Sequence, residues 1–286
     1  MTTIALRKMN GLGNDFAVLD ARAGALGLTG GQVLWLGDRA GPVGCDQVIV
    51  MEPSKRADVF MRIYNSDGGE VEACGNAARC VGAVMAQELG RESVAIETSV
   101  DLLNATRNPD GSVTVESMAP RFDWQDIPLS RAQEDTVAID LEIRPEQGPP
   151  LSKPSAVNVG NPHCIFWVED ADAYDLAAIG PTLETDPLFP ERANISLAQL
   201  IAPEALKLLV WERGAGLTQA CGTAACAAAV AAHRKGLTGR NVTVHLPGGA
   251  LEIEWRESDG HILMTGPAAL DYEAALDMET LALEPA

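Results

Sequence analysis

Apolar positions along the chain fall into short runs separated by polar stretches rich in glycine and proline. Val59 to Tyr64 and Lys207 to Trp211 are β-leaning runs, and each is followed by a polar, glycine-containing loop that leads to a cysteine. Gly75 to Leu89 and Gly222 to Lys235 are rich in alanine, the best helix former, and each meets a glycine suited to a left-handed helix end, Gly90 and Gly236. The pattern therefore predicts two strand–loop–helix units. Phe16 to Leu19, Val94 to Ile96, Val113 to Val115, Val242 to Val244 and Leu251 to Ile253 read as further strands between turn residues. Pro120 to Pro154, with four more prolines inside it, reads as an inter-domain region, and the tail after Pro267 has helical composition.

A search for internal repeats sharpens this pattern. Ala73-Cys74-Gly75-Asn76-Ala77-Ala78 and Ala220-Cys221-Gly222-Thr223-Ala224-Ala225 agree at all but one position, at an offset of 147 residues. The same offset carries Gly13-Asn14 onto Gly160-Asn161, Gln47 onto Asn194 and Asn65 onto Glu212. Asp110-Gly111 answers Asp259-Gly260 at 149, a drift that a small insertion explains. Several polar positions holding one register indicate a duplicated unit, one copy per domain. The length, 286 residues against about 150 per domain, agrees with two domains.

Composition narrows the function classes. With 47% hydrophobic and 21% charged residues the chain reads as globular, and the apolar run Ala224 to Ala232 is far short of the roughly 20 residues that span a bilayer. No membrane association is expected. A formal net charge of -19 repels a phosphate backbone, so no nucleic-acid partner is expected either. The N-terminal residues lack a basic start followed by an apolar stretch, which places the protein in the cytoplasm, where six cysteines would remain thiols.

The repeat sets Cys74 and Cys221 just before helices, where unpaired amides and the positive dipole end lower a thiol's pKa. If the two halves face each other about a pseudo-twofold axis, two sulfurs meet around an anion site made of helix amides. Inverting a carbon acid uses that arrangement: a base takes the proton from one face, an acid returns one to the other, and donors stabilise the charge between.

At these residues the chain resembles the diaminopimelate epimerase family along almost its whole length. The resemblance is carried by Gly11-Leu12-Gly13-Asn14-Asp15-Phe16, Asn65-Ser66-Asp67-Gly68-Gly69-Glu70 running on to Cys74-Gly75-Asn76-Ala77-Ala78-Arg79-Cys80, Gly160-Asn161-Pro162-His163, and Glu212-Arg213-Gly214-Ala215-Gly216 running on to Cys221-Gly222-Thr223. It implies an α/β (α+β) fold of two pseudo-symmetric domains, each a mostly antiparallel or mixed strand barrel around a central helix. The domains are expected over 1–120, rejoined by the tail 268–286, and over 121–267. The implied activity is epimerisation of LL-2,6-diaminoheptanedioate to the meso isomer in lysine and peptidoglycan precursor synthesis. It needs no cofactor and no metal, uses Cys74 and Cys221 as acid and base, and runs in a homodimer. His163 and Glu212 would tune the two sulfurs. Asn14, Gln47, Asn65, Gly75, Asn76, Asn161, Asn194, Glu212, Arg213, Gly222 and Thr223 would hold the substrate, a small diamino dicarboxylic acid. Neutral amides suit a zwitterion, since they donate to a carboxylate and accept from an ammonium, while an arginine grips a carboxylate bidentately.

Other readings fare worse. Cys74 to Cys80 and Cys221 to Cys226 lack the Cys-x-x-Cys spacing and paired histidines of a zinc site. A thiol oxidoreductase could use two facing cysteines, and a proline or hydroxyproline racemase is the competitor within the fold; Glu212-Arg213 and the opening Gly-Leu-Gly-Asn-Asp-Phe favour the diamino acid. Cys45, Cys80, Cys164 and Cys226 read as small packing residues.

Overall fold

A computed structural model describes residues 3–24, 26–72 and 74–285. Ala73, the first residue of the earlier Ala-Cys-Gly motif, lies outside them. The chain divides into two compact units, 1–116 with 265–286, and 117–264. The regular elements among the described residues are mostly strands, with four α-helices. No helix among them is long and apolar enough to cross a membrane.

The first unit runs β1 (Thr3–Gly11), β2 (Asn14–Asp20), α1 (Gly30–Gly37), β3 (Gln47–Glu52), β4 (Val59–Asn65), β5 (Glu70–Val71), α2 (Gly75–Leu89), β6 (Ser93–Glu97), β7 (Leu102–Arg107) and β8 (Val113–Ser117). β1 pairs antiparallel with β2, β2 parallel with β3, β3 antiparallel with β4, and β4 parallel with β6. Alternate residues of β4 are buried, the period-2 signature of a strand with one face on a core. That core side receives α2, which packs against β1, β2, β4, β6 and β7. The helix fits because its contact face is small: a Cβ on Gly82 would come within 2.6 Å of Ala105 Cβ. It ends as its composition predicts, at Gly90 with φ 63°.

The second unit repeats this order. After β9 (Glu142–Ile143) and β10 (Leu151–Ser152) come β11 (Ser155–Asn158), β12 (Pro162–Val168), α3 (Leu176–Glu184), β13 (Asn194–Ala202), β14 (Ala205–Glu212), β15 (Gly216–Leu217), α4 (Gly222–Arg234), β16 (Asn241–Leu246), β17 (Gly249–Trp255) and β18 (Ile262–Gly266). β11–β12, β12–β13, β13–β14 and β14–β16 are antiparallel, parallel, antiparallel and parallel, as in the first copy. The register is also shared. Phe16 pairs with Gln47, and His163 pairs with Asn194, both residues shifted by 147. Phe60 pairs with Glu97 and Lys207 with His245, which puts one extra residue between the second helix and its following strand. α4 buries an almost unbroken face of Ala224, Ala225, Ala227, Ala228, Val230 and Ala231 among β11 to β14, β16 and β17.

Two expectations need correction. The tail after Pro267 is not helical: it forms β19 (Ala269–Asp277), antiparallel to β1 from Thr3↔Asp277 to Asn10↔Ala269, and β20 (Leu283–Pro285) beside it. Its alanines and leucines have helical propensity, but an open edge on β1 and a core that takes Ala274 and Leu276 override it. The stretch from Pro120 to Pro154 is not a linker. Ile127, Leu129, Ile139 and Leu151 are buried in the second unit's core with Phe166, Ile195 and Leu197. Proline removes backbone donors and so interrupts regular elements, but it leaves side-chain burial free.

Candidate functional site

Each unit places its cysteine at the start of its central helix. Cys74 is the N-cap residue of α2, with extended backbone at φ -149°, and Cys221 is the N-cap residue of α4, at φ -126°. Neither side chain caps its own helix.

In the first unit the Cys74 thiol donates to Asn14 Oδ1, with Sγ 4.0 Å away. Asn14 opens β2, and its Nδ2 donates to Asp46 Oδ2 at 2.9 Å. Asp46 in turn accepts from the Asp15 backbone N–H at 3.0 Å and pairs with Arg39. Asp15 sits in the same web, ion-paired to Lys8 and Arg39. Burial pushes its carboxyl pKa up, but hydrogen bonds from Arg39 and Lys8 outweigh that and hold it well below the usual range. Gln47 and Asn65 are cross-strand partners, and Gln47 Nε2 donates to Asn65 Oδ1 at 2.9 Å. Gln47 Oε1 is buried without a partner among the described residues, an acceptor suited to an ammonium. The Asn76 side chain turns inward instead, accepting from Arg79 at 2.9 Å, so at Gly75-Asn76 the backbone amides are the groups facing outward from the helix start. The turn before Asn14 lies close to that start: a Cβ on Gly11 would come within 3.0 Å of Asn76 O.

In the second unit Cys221 Sγ lies 3.5 Å from Thr223 Oγ1. Its thiol pKa is pushed well up, by burial first and then by the negative charge of Glu212, against smaller opposing effects of the Thr223 hydroxyl and the Ala224 N–H. The expected lowering at a helix start is therefore outweighed here, because desolvating a thiolate costs more than the helix end returns. Glu212, at the end of β14, accepts from Thr218 Oγ1 at 2.6 Å. Asn161 Nδ2 donates to Thr223 Oγ1 at 3.4 Å, and Asn161 Oδ1 lies 2.7 Å from His163 Nε2. An amide oxygen only accepts, which assigns the imidazole proton to Nε2 and leaves Nδ1 buried without a partner among the described residues. His163 is held neutral, its pKa lowered from 6.5 to about 3 by burial and then by the Arg213 charge. It reaches Cys221 through Asn161 and Thr223 rather than directly.

Asn194 is spent on the backbone: Nδ2 donates to Pro162 O and Oδ1 accepts from the Arg213 N–H, each at 3.0 Å. It fixes the entry to β12 and the turn that carries Arg213. The exposed Arg213 guanidinium donates to the Glu191 carbonyl at 3.1 Å. Sequence reasoning did not find Asp46, Thr218 or Glu184, which hydrogen-bond to Asn14, to Glu212 and to the Gly214 N–H; Asp46 lies directly before Gln47 and was within reach of a motif argument.

The family model described as diaminopimelate epimerase matches residues 6–122 and 155–270. The chain belongs to this family. It is 53% identical over 275 residues to a diaminopimelate epimerase of Erythrobacter litoralis, covering 96% of this chain and 97% of the relative. A diaminopimelate epimerase of Methylocella silvestris is 51% identical over 272 residues, covering 94% of this chain and 93% of the relative. Among solved structures, a hydroxyproline epimerase from Agrobacterium vitis with bound trans-4-hydroxy-L-proline superposes with a TM-score of 0.66 at 16% identity, over 96% of this chain and 93% of that one. That likeness is one of fold. Membership of the diaminopimelate epimerase family makes the chain an amino-acid epimerase, an isomerase acting on a small molecule.

Proposed function

We propose that this chain epimerises LL-2,6-diaminoheptanedioate to the meso isomer without a cofactor, with Cys74 and Cys221 as its acid and base. The observation that carries the reading is the repeat itself: two copies of one unit each present a cysteine at the N-cap of a central helix, beside amide side chains at equivalent registers. The thiolate form of one sulfur removes the α-proton, and the thiol of the other delivers a proton to the opposite face. The carbon keeps its substituents, one sulfur gains a proton and the other loses one, so reverse turnover starts from the opposite protonation state. Amides at the starts of α2 and α4 stabilise charge building on the substrate carboxylate. Burial and then Glu212 favour the thiol form at Cys221, the form that delivers a proton.

Asn14, Gln47, Asn65 and Asn161, with Arg213, hold the zwitterionic ends. The working form is a homodimer, as in the family, and it acts in the cytoplasm, whose reducing poise keeps both thiols available.

Proton NMR of purified protein with LL-2,6-diaminoheptanedioate in D2O, without pyridoxal phosphate or metal, tests this. Loss of the α-proton signal together with appearance of the meso isomer is expected. A persistent α-proton and no meso product, from folded and reduced protein, would refute it.

A further inference from the structure

Glu184 closes α3 in a position that neither helix stability nor solvation favours. An acid in the last turn faces the negative end of the helix dipole, and this one is only 6% exposed. Its carboxylate is occupied on both oxygens. Oε2 accepts from the Trp211 indole Nε1–H at 2.7 Å, and Oε1 accepts from the Gly214 backbone N–H at 3.1 Å, with Arg192 Nη1 3.4 Å away. Trp211 and Gly214 flank Glu212 and Arg213. The rest of α3 is shaped to the same contact, since a Cβ on Gly180 would lie 2.4 Å from the Trp211 ring. From the other side Asn194 Oδ1 holds the Arg213 N–H. The turn itself is glycine-permitted, with φ 77° at Gly214 and 84° at Gly216, and so has little stiffness of its own.

We infer that Glu184 is a positioning residue for the reaction, a two-pronged acceptor that sets the Glu212–Arg213 turn in its substrate-holding conformation. The inference rests on the reading above in which Arg213 grips a substrate carboxylate. The carboxyl group accepts at both oxygens, whereas a glutamine in its place presents an NH2 to one of the two donors and leaves that N–H unsatisfied.

The test is Glu184→Gln, read by steady-state kinetics and by the Trp211 indole 15N–1H resonance, assigned through Trp211→Phe, with Arg213→Ala in parallel. A displaced Trp211 resonance and a KM raised about tenfold, with kcat changed by less than about threefold, are expected. An unmoved resonance, or an unchanged KM while Arg213→Ala raises KM, overturns the inference and leaves the role of Arg213 standing. If Arg213→Ala also leaves KM unchanged, that role fails and the inference falls with it. Should Glu184→Gln not fold, Trp211→Phe removes one prong alone and is expected to raise KM in the same direction; an unchanged KM there overturns the inference.

Discussion

Asn14 gives its amide N–H to Asp46, and so turns its carbonyl oxygen toward the Cys74 thiol. The direction is not a matter of choice, because an ionised carboxylate can only accept. A group two hydrogen bonds removed from the sulfur thereby decides that the Cys74 thiol meets an acceptor.

Asp46→Ala removes that orientation while leaving both cysteines in place. A loss of about tenfold in kcat/KM is expected, the size of one displaced hydrogen bond at the reacting group. Steady-state rates beside a melting curve check it, and wild-type kcat/KM in the folded variant would show that Asn14 holds its orientation without Asp46.

Cys74→Ala and Cys221→Ala each remove one proton-transfer group. Either change is expected to lower epimerisation by about a thousandfold, within the range that general acid–base catalysis supplies. The rate of meso formation from the LL isomer is the measurement, and full activity in either variant ends the two-base mechanism.

His163 gives a pH signature of stability. Its folded pKa, about 3, lies below the ordinary 6.5, so between those values the unfolded chain binds the proton and the folded chain does not. Its contribution is complete above 6.5 and is lost as pH falls toward 3, by at most about 1.4 kcal/mol per pH unit. Asp15, with its carboxyl pKa held low, adds to acid sensitivity only below its ordinary 3.8. Urea unfolding at pH 7 and pH 5 is therefore expected to show a smaller loss in His163→Gln than in wild type. Equal losses in the two proteins would mean that His163 titrates normally.

The tail contributes to the first unit's core through β19. Leu276 is fully buried opposite Ile4, and Leu276→Ala is expected to destabilise by about 2–5 kcal/mol. A urea midpoint indistinguishable from wild type would show that β19 adds little to that core.

Much of the site was legible because its signals are local. Ala73 aside, the cysteine motifs sit where an alanine-rich helix meets a polar loop, and Gly90 and Gly236 take the positive φ values that helix ends ask for. The strands expected at Phe16, Val59, Val94, Val113, Lys207, Val242 and Leu251 all fall within observed strands. β1, β3, β12 and β13 were not singled out, though β3 and β13 open with the chosen Gln47 and Asn194. β3 is buried along Val48-Ile49-Val50-Met51 and β13 along Ile195-Ser196-Leu197-Ala198, so neither shows the alternation that marks a half-exposed strand.

By itself the sequence determined the duplication, its 147-residue register, the placing of one cysteine before each central helix and the family to which the chain belongs. Those follow from residue order and from periodicities that need no partner. Only the tertiary structure decided that Asp46 orients Asn14, that Thr218 and Glu184 attend Glu212 and Arg213, that burial outweighs the helix end at Cys221, and that the alanine-rich tail is a strand. Each of these depends on which groups meet and how much water they lose, and both are set by contacts between residues far apart in the chain.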